Sequence, residues 1–232
     1  MKPNTSERIK HFLINNAAVL LLYLALLLPS LYLIYVYDKL QLHLVFNQLV
    51  GSVYVNGFFY YITYLGDGFM AILILLIISV MNLRKGLYTA LSFLLASLFS
   101  QFLKRYVFED IDRPWMIFQN KQELGLRLVE GVDNHIHNSF PSGHATQAFA
   151  IFICLAFTSR NKLLKLFFFF IASLTAFSRV YISQHWLNDI VAGSLIGMIF
   201  STALYLWFYQ HPALKSLNRP LFAKKQKNES AA

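Results

Sequence analysis

Three short stretches combine residues that can bind an anion with residues that can move a proton. KRYVFEDIDRP runs from Lys104 to Arg113-Pro114, Pro141-Ser142-Gly143-His144 follows, and SRVYISQHWLND carries Ser178, Arg179, His185 and Asp189. Lys104, Arg113 and Arg179 supply fixed positive charge, and the planar guanidinium fork suits phosphate oxygens. Ser142 and Gly143 lie where a helix is predicted to start, and the free N–H groups of a helix N-terminus favour an anion. Gly143 also lets the backbone approach a ligand closely. Together these residues describe an anion site, best suited to phosphate.

Two histidines add proton and nucleophile chemistry. His185 and Asp189 are four apart, which on one helix puts them on the same face. A carboxylate there accepts the Nδ1 proton and leaves Nε2 free as a nucleophile. His144, on another segment, is placed to protonate a departing oxygen. Each pattern alone is ordinary: a His–Asp pair at this spacing usually sits on a wet surface, and Pro-Ser-Gly-His is usually a turn with a helix cap. Their weight comes from the elements that hold them.

Those elements are membrane helices. Of 232 residues, 57% are hydrophobic and 13% charged, about half the charged share usual in soluble domains. Six apolar runs are expected to span a bilayer: residues 17–36, 69–81, 87–103, 144–157, 163–177 and 190–208. Residues 38–67 are mixed and aromatic, an interfacial composition. The first run is too long for a signal-peptide core and is expected to stay uncleaved, with a kink at Pro29. The fold class is therefore all-α, a polytopic bundle forming one membrane-embedded domain over 1–232 with a basic tail from 211. The one cysteine, Cys154, excludes an internal disulfide and a cysteine-based metal site.

Charge orients the bundle. Six spans put both termini on one side, together with Lys2, Arg8, Lys10, Arg84, Lys85, Arg160, Lys162, Lys165, Lys215, Arg219, Lys224, Lys225 and Lys227, 13 of the 20 Lys and Arg. The positive-inside rule then makes the termini cytoplasmic. The net charge of +9 is scattered between apolar spans with no nucleic-acid-binding motif, so no nucleic-acid partner is expected. Residues 104–143 and 178–189 consequently share the outward face, and ionisable groups at membrane depth point to function.

At these residues the chain resembles the phosphatidic-acid-phosphatase type-2 superfamily of membrane phosphatases. The second motif, Pro141 to His144, and the third, Ser178-Arg179-x5-His185-x3-Asp189, match it without departure. The first departs from Lys-x6-Arg-Pro: eight residues separate Lys104 from Arg113-Pro114 and seven separate Arg105, and Lys104 is preferred because the family favours lysine. The resemblance implies His185 as nucleophile through a phosphohistidine, Asp189 orienting it, and His144 as acid and then base. It implies Lys104, Arg113, Ser142, Gly143 and Arg179 as phosphate ligands, with no metal and no cofactor. Glu109, Asp110 and Asp112 then read as a solvated loop whose charge orients Lys104 and Arg113, and His135 and His137 as loop residues.

The implied activity is hydrolysis of a lipid phosphate in a bacterial cytoplasmic membrane, on its outer, periplasmic face. Phosphatidylglycerol phosphate, undecaprenyl pyrophosphate, phosphatidic acid and lipid A phosphate are all substrate classes of the family. Two other readings use the same residues: a lipid phosphotransferase sharing the phosphohistidine, and a non-catalytic lipid-binding membrane protein.

Overall fold

A computed structural model describes residues 4–222; Lys2, Lys224, Lys225 and Lys227 of the basic ends lie outside the described residues. Polar N-caps punctuate the apolar chain into helices. Asn4 starts α1 (Thr5–Val36) through a capping box with Glu7. Asp38 caps α2 (Lys39–Asn47), Asp67 caps α4 (Gly68–Met81), and Asn82 caps α5 (Leu83–Tyr106). Ser142 caps α7 (Gly143–Thr158) and Asn161 caps α8 (Lys162–Tyr181). The remaining helices are α3 (Val53–Ile62), the short α6 (Pro114–Phe118) and α9 (Leu187–Gln210). No strand occurs among the described residues.

All six expected spans form helices, but not equal ones. α1, α5, α8 and α9 are each long and apolar enough to cross a membrane alone. The 69–81 run becomes α4, which needs α3 and a 63° bend between them to make a span. The mixed 38–67 segment forms α2 and α3, and α3 meets α4 at the bend of a pair with the length and apolarity of a broken span or a re-entrant loop. α1 continues through Pro29 as a single helix.

α7 is the short one. Its 16 residues reach about 24 Å, against about 30 Å of hydrocarbon, so α7 is shorter than a full span. Such a helix suits a protein environment, and Ala145, Ala148, Phe149, Phe152, Ile153 and Ala156 are all buried among α5, α8 and α9. Cys154 faces this core.

The α7–α9 contact depends on two glycines spaced like a membrane small-xxx-small motif. A Cβ on Gly193 would stand 2.5 Å from the Ser142 carbonyl oxygen, and one on Gly197 would stand 2.7 Å from that of Thr146. Close approach at this point brings the start of α9 against the start of α7, where the second and third motifs meet.

Candidate active site

One end of the bundle gathers the ends of α4, α5, α7 and α8 and the turn before α9 around a cavity of about 240 Å³. Lys104, Arg113, Gly143, His144, Arg179 and His185 line it. Stretches some eighty residues apart in sequence are therefore one site. Arg105, the alternative for the first motif, is exposed and does not line the cavity. Ser142 and Asp189 are fully buried behind the wall.

The third motif is built differently from the expected single helix. Ser178 to Tyr181 finish α8, Leu187 begins α9, and His185 sits in the tight turn between them. Ser183 takes a positive φ of 55° there, and the Gln184 and His185 N–H groups both donate to the Arg179 carbonyl, at 2.9 and 3.0 Å. His185 and Asp189 meet because Asp189 is the third residue of α9 and its carboxylate folds back over the helix start. Its Oδ2 accepts from Trp186 N–H at 3.0 Å, from the Ser139 hydroxyl, and from His185 Nδ1 at 3.2 Å. An ionised carboxylate only accepts, so the proton sits on Nδ1 and Nε2 is the nitrogen left for the cavity.

His185 is 2% exposed. Burial, followed by the positive charges of Arg113, Arg179 and Lys104, holds its pKa well below the ordinary histidine range. The imidazole is thus neutral at neutral pH, the form that can act as a nucleophile.

The cations divide into clamps and free donors. Arg113 donates from Nε to the His137 carbonyl at 2.8 Å, from Nη1 to Gln184, and from Nη2 to the Asn138 carbonyl at 3.4 Å. That leaves one Nη2 proton of its five for the cavity. Burial lowers the Arg113 pKa, with Asp189 opposing the shift. Arg179 donates from Nη1 to the Thr63 hydroxyl at 2.8 Å, while its buried Nε has no partner among the described residues. Gly143 and His144 open α7, so their N–H groups lack an intrahelical acceptor, and a Cβ on Gly143 would meet nothing within 4 Å. Free donors, a helix N-terminus and three cations make a receptor for an anion of phosphate geometry.

Ser142 serves the site through the backbone. Its hydroxyl accepts from Ala145 N–H at 3.5 Å, capping α7, and its own N–H donates to the Asp189 carbonyl at 3.0 Å. The acidic loop also differs from expectation. Asp112 pairs with His137 at 3.0 Å, not with Lys104 or Arg113, because the loop closes on itself: Arg113 N–H reaches the Ile136 carbonyl and Ser139 N–H the Ile111 carbonyl. His135 from this loop lines the cavity. Among the described residues no three His, Cys, Asp or Glu side chains converge to hold a metal.

Several site residues carry no motif signal. Trp186, 1% exposed, donates from Nε1 to the Asp112 carbonyl at 2.8 Å and lies under Lys39 Nζ, 4.3 Å from the ring centre. His43 of α2 packs edge-on to Trp186 at 5.2 Å and shares a 3.1 Å hydrogen bond with Ser183. α2 thus braces the turn holding His185. Gln101 and Gln147 also line the cavity, and a same-face search would have found them, three residues from Lys104 and His144 respectively.

A family model described as the PAP2 superfamily matches residues 85–213, more than half of the chain and inclusive of all three motifs. The chain belongs to the PAP2 superfamily. A lipid A 1-phosphatase of Porphyromonas gingivalis is 33% identical over 112 residues, covering 42% of this chain and 25% of that protein. This PAP2 chain therefore matches about a quarter of that curated relative's length. The crystal structure of Aquifex aeolicus LpxE superposes with a TM-score of 0.63 at 24% identity, covering 73% of this chain and 96% of that one. A transmembrane PAP2-type phosphatidylglycerolphosphate phosphatase from Bacillus subtilis gives 0.59 at 19% identity, over 84% and 96%. At these identities the likeness is one of fold, and it makes this PAP2 protein a multi-pass helical membrane protein.

Proposed function

We propose that this PAP2 protein is a lipid phosphate phosphatase working through a phosphohistidine on His185. The observation that carries the reading is His185 itself: Nδ1 is bound to Asp189, the ring is neutral, and Nε2 is left for a cavity lined by Lys104, Arg113 and Arg179. Nε2 attacks phosphorus and the ester P–O bond breaks. Once the negative charge of the bound phosphate offsets the surrounding cations, His144 takes up a proton and gives it to the departing oxygen, and the same imidazole then takes a proton from the water that releases inorganic phosphate. The three cations and the Gly143 and His144 N–H groups stabilise the charge spread over the non-bridging oxygens.

A polar cavity at one end of a bundle of apolar helices suits an amphiphile whose tails stay in lipid while its phosphate reaches the site. The positive-inside distribution of Lys and Arg supports an outer-face cavity in a cytoplasmic membrane. Membrane lipids are then both solvent and substrate.

The test is phosphate release by protein purified in detergent, with EDTA present, from phosphatidylglycerol phosphate, undecaprenyl pyrophosphate, phosphatidic acid and lipid A. Release from at least one, abolished in folded His185→Ala, is the expected result. Full activity in His185→Ala removes the nucleophile, and label passing only to an added lipid acceptor assigns transfer in place of hydrolysis.

A further inference from the structure

Three polar side chains of the cavity have no part in the hydrolysis steps. Gln101 lies one turn below Lys104 on α5, Gln147 lies one turn below His144 on α7, and His135 reaches in from the loop. Three helical residues are about 4.5 Å of rise, so both amides sit that much deeper in the bundle than the phosphoryl-binding groups. Neither amide, nor the His135 ring, hydrogen-bonds to another described residue, although Gln101 and Gln147 face one cavity. Gln101 is exposed and Gln147 half-buried, so both amides are open to a ligand that enters the cavity.

Their chemistry narrows that ligand. Each amide both donates and accepts. Burial and the positive charges of Arg113 and Arg179 hold His135 below the ordinary histidine range, so it too is a neutral donor and acceptor. A second phosphate would call for cations, and a bare hydrocarbon chain for apolar walls. Neutral groups of both polarities match hydroxyls. Space agrees: about 240 Å³ is room for about eight waters at roughly 30 Å³ each, more than one phosphoryl group fills. Position agrees as well, because Gln147 shares a face of α7 with His144, the group that meets the departing oxygen.

We propose that Gln101, Gln147 and His135 form a subsite for the leaving alcohol, and that this alcohol carries further hydroxyls. The preferred substrate is then the phosphomonoester of a polyol or sugar headgroup rather than a polyprenyl phosphate or diphosphate. This rests on the phosphatase reading of the same cavity.

The experiment compares kcat/KM for phosphatidylglycerol phosphate, whose leaving glycerol bears a hydroxyl, with that for farnesyl phosphate, whose leaving alcohol bears none. Wild-type protein should favour the former. Gln147→Leu and Gln101→Leu should each lower the ratio of the two constants by about five- to tenfold, the worth of a neutral hydrogen bond. Gln101 is exposed, so its variant keeps the test valid should Gln147→Leu misfold. Equal loss on both substrates, or an unchanged ratio, overturns the subsite while leaving the phosphatase reading intact. Phosphate release from neither substrate by wild-type protein overturns both.

Discussion

His43 offers a quantitative test of the brace behind the nucleophile. It is 2% exposed in α2, against Trp186 and Ser183, and burial lowers its pKa from 6.5 to about 4, with Lys39 adding to the shift and Asp189 opposing it. The folded protein therefore holds His43 neutral, while the unfolded chain binds a proton below pH 6.5. The stability linked to this group is fully present above pH 6.5 and is lost as pH falls toward 4. At about 1.36 kcal/mol per unit, the full shift is worth about 3 kcal/mol. Between pH 7.5 and 5.0 the loss is about 2 kcal/mol, or about 4–8 °C in Tm for a chain of this size. His185, held below its ordinary range by burial, loses stability in the same direction, so a difference between proteins is the proper reading. Thermal unfolding in detergent, followed by tryptophan fluorescence, should show a smaller acid-induced drop in His43→Gln than in wild type, by about 4–8 °C. Equal drops would refute the reasoning, since they would mean that His43 is already charged or solvated in the folded state.

Other substitutions probe the cavity and its frame. Lys104→Ala should lower kcat/KM at least about tenfold by removing a charge from the phosphate receptor, whereas the exposed Arg105→Ala should stay within about twofold of wild type in a phosphate-release assay. Ser139→Ala removes a hydroxyl that donates to the Asp189 carboxylate, and the orientation of His185 should loosen, with kcat about tenfold lower and KM little changed. Gly197→Val would drive side-chain atoms against the Thr146 carbonyl, 2.7 Å from the new Cβ, and should cost about 1–3 kcal/mol or more, read as a lower Tm.

What the sequence disclosed follows from what is local. The second and third motifs are short, and their apolar flanks fix which end of the bundle they occupy, so His144, Arg179, His185 and Asp189 were legible as one site. Helix caps were the limit even there. The His185–Asp189 spacing suggested one helix face, but the contact comes from a carboxylate folded over the start of α9, with His185 outside the helix. The first motif was ambiguous because its spacing departs from the family, and only the direction of the last turn of α5 separates Lys104 from Arg105. Ser139, Gln184, Trp186 and His43 were not legible, because their roles depend on how the 107–141 loop and α2 close over the turn. The shortness of α7 hid behind an ordinary apolar run, and α3 behind an aromatic segment whose composition suits an interface as well as half of a bent span.

The central claim is that His185 Nε2 forms a bond to phosphorus. Purified protein mixed with 32P-labelled lipid phosphate and quenched within the first turnover should carry label that is stable to alkali, lost in acid, and located on His185. Turnover of the same substrate with no label on His185, or with label retained by His185→Ala, would contradict the account.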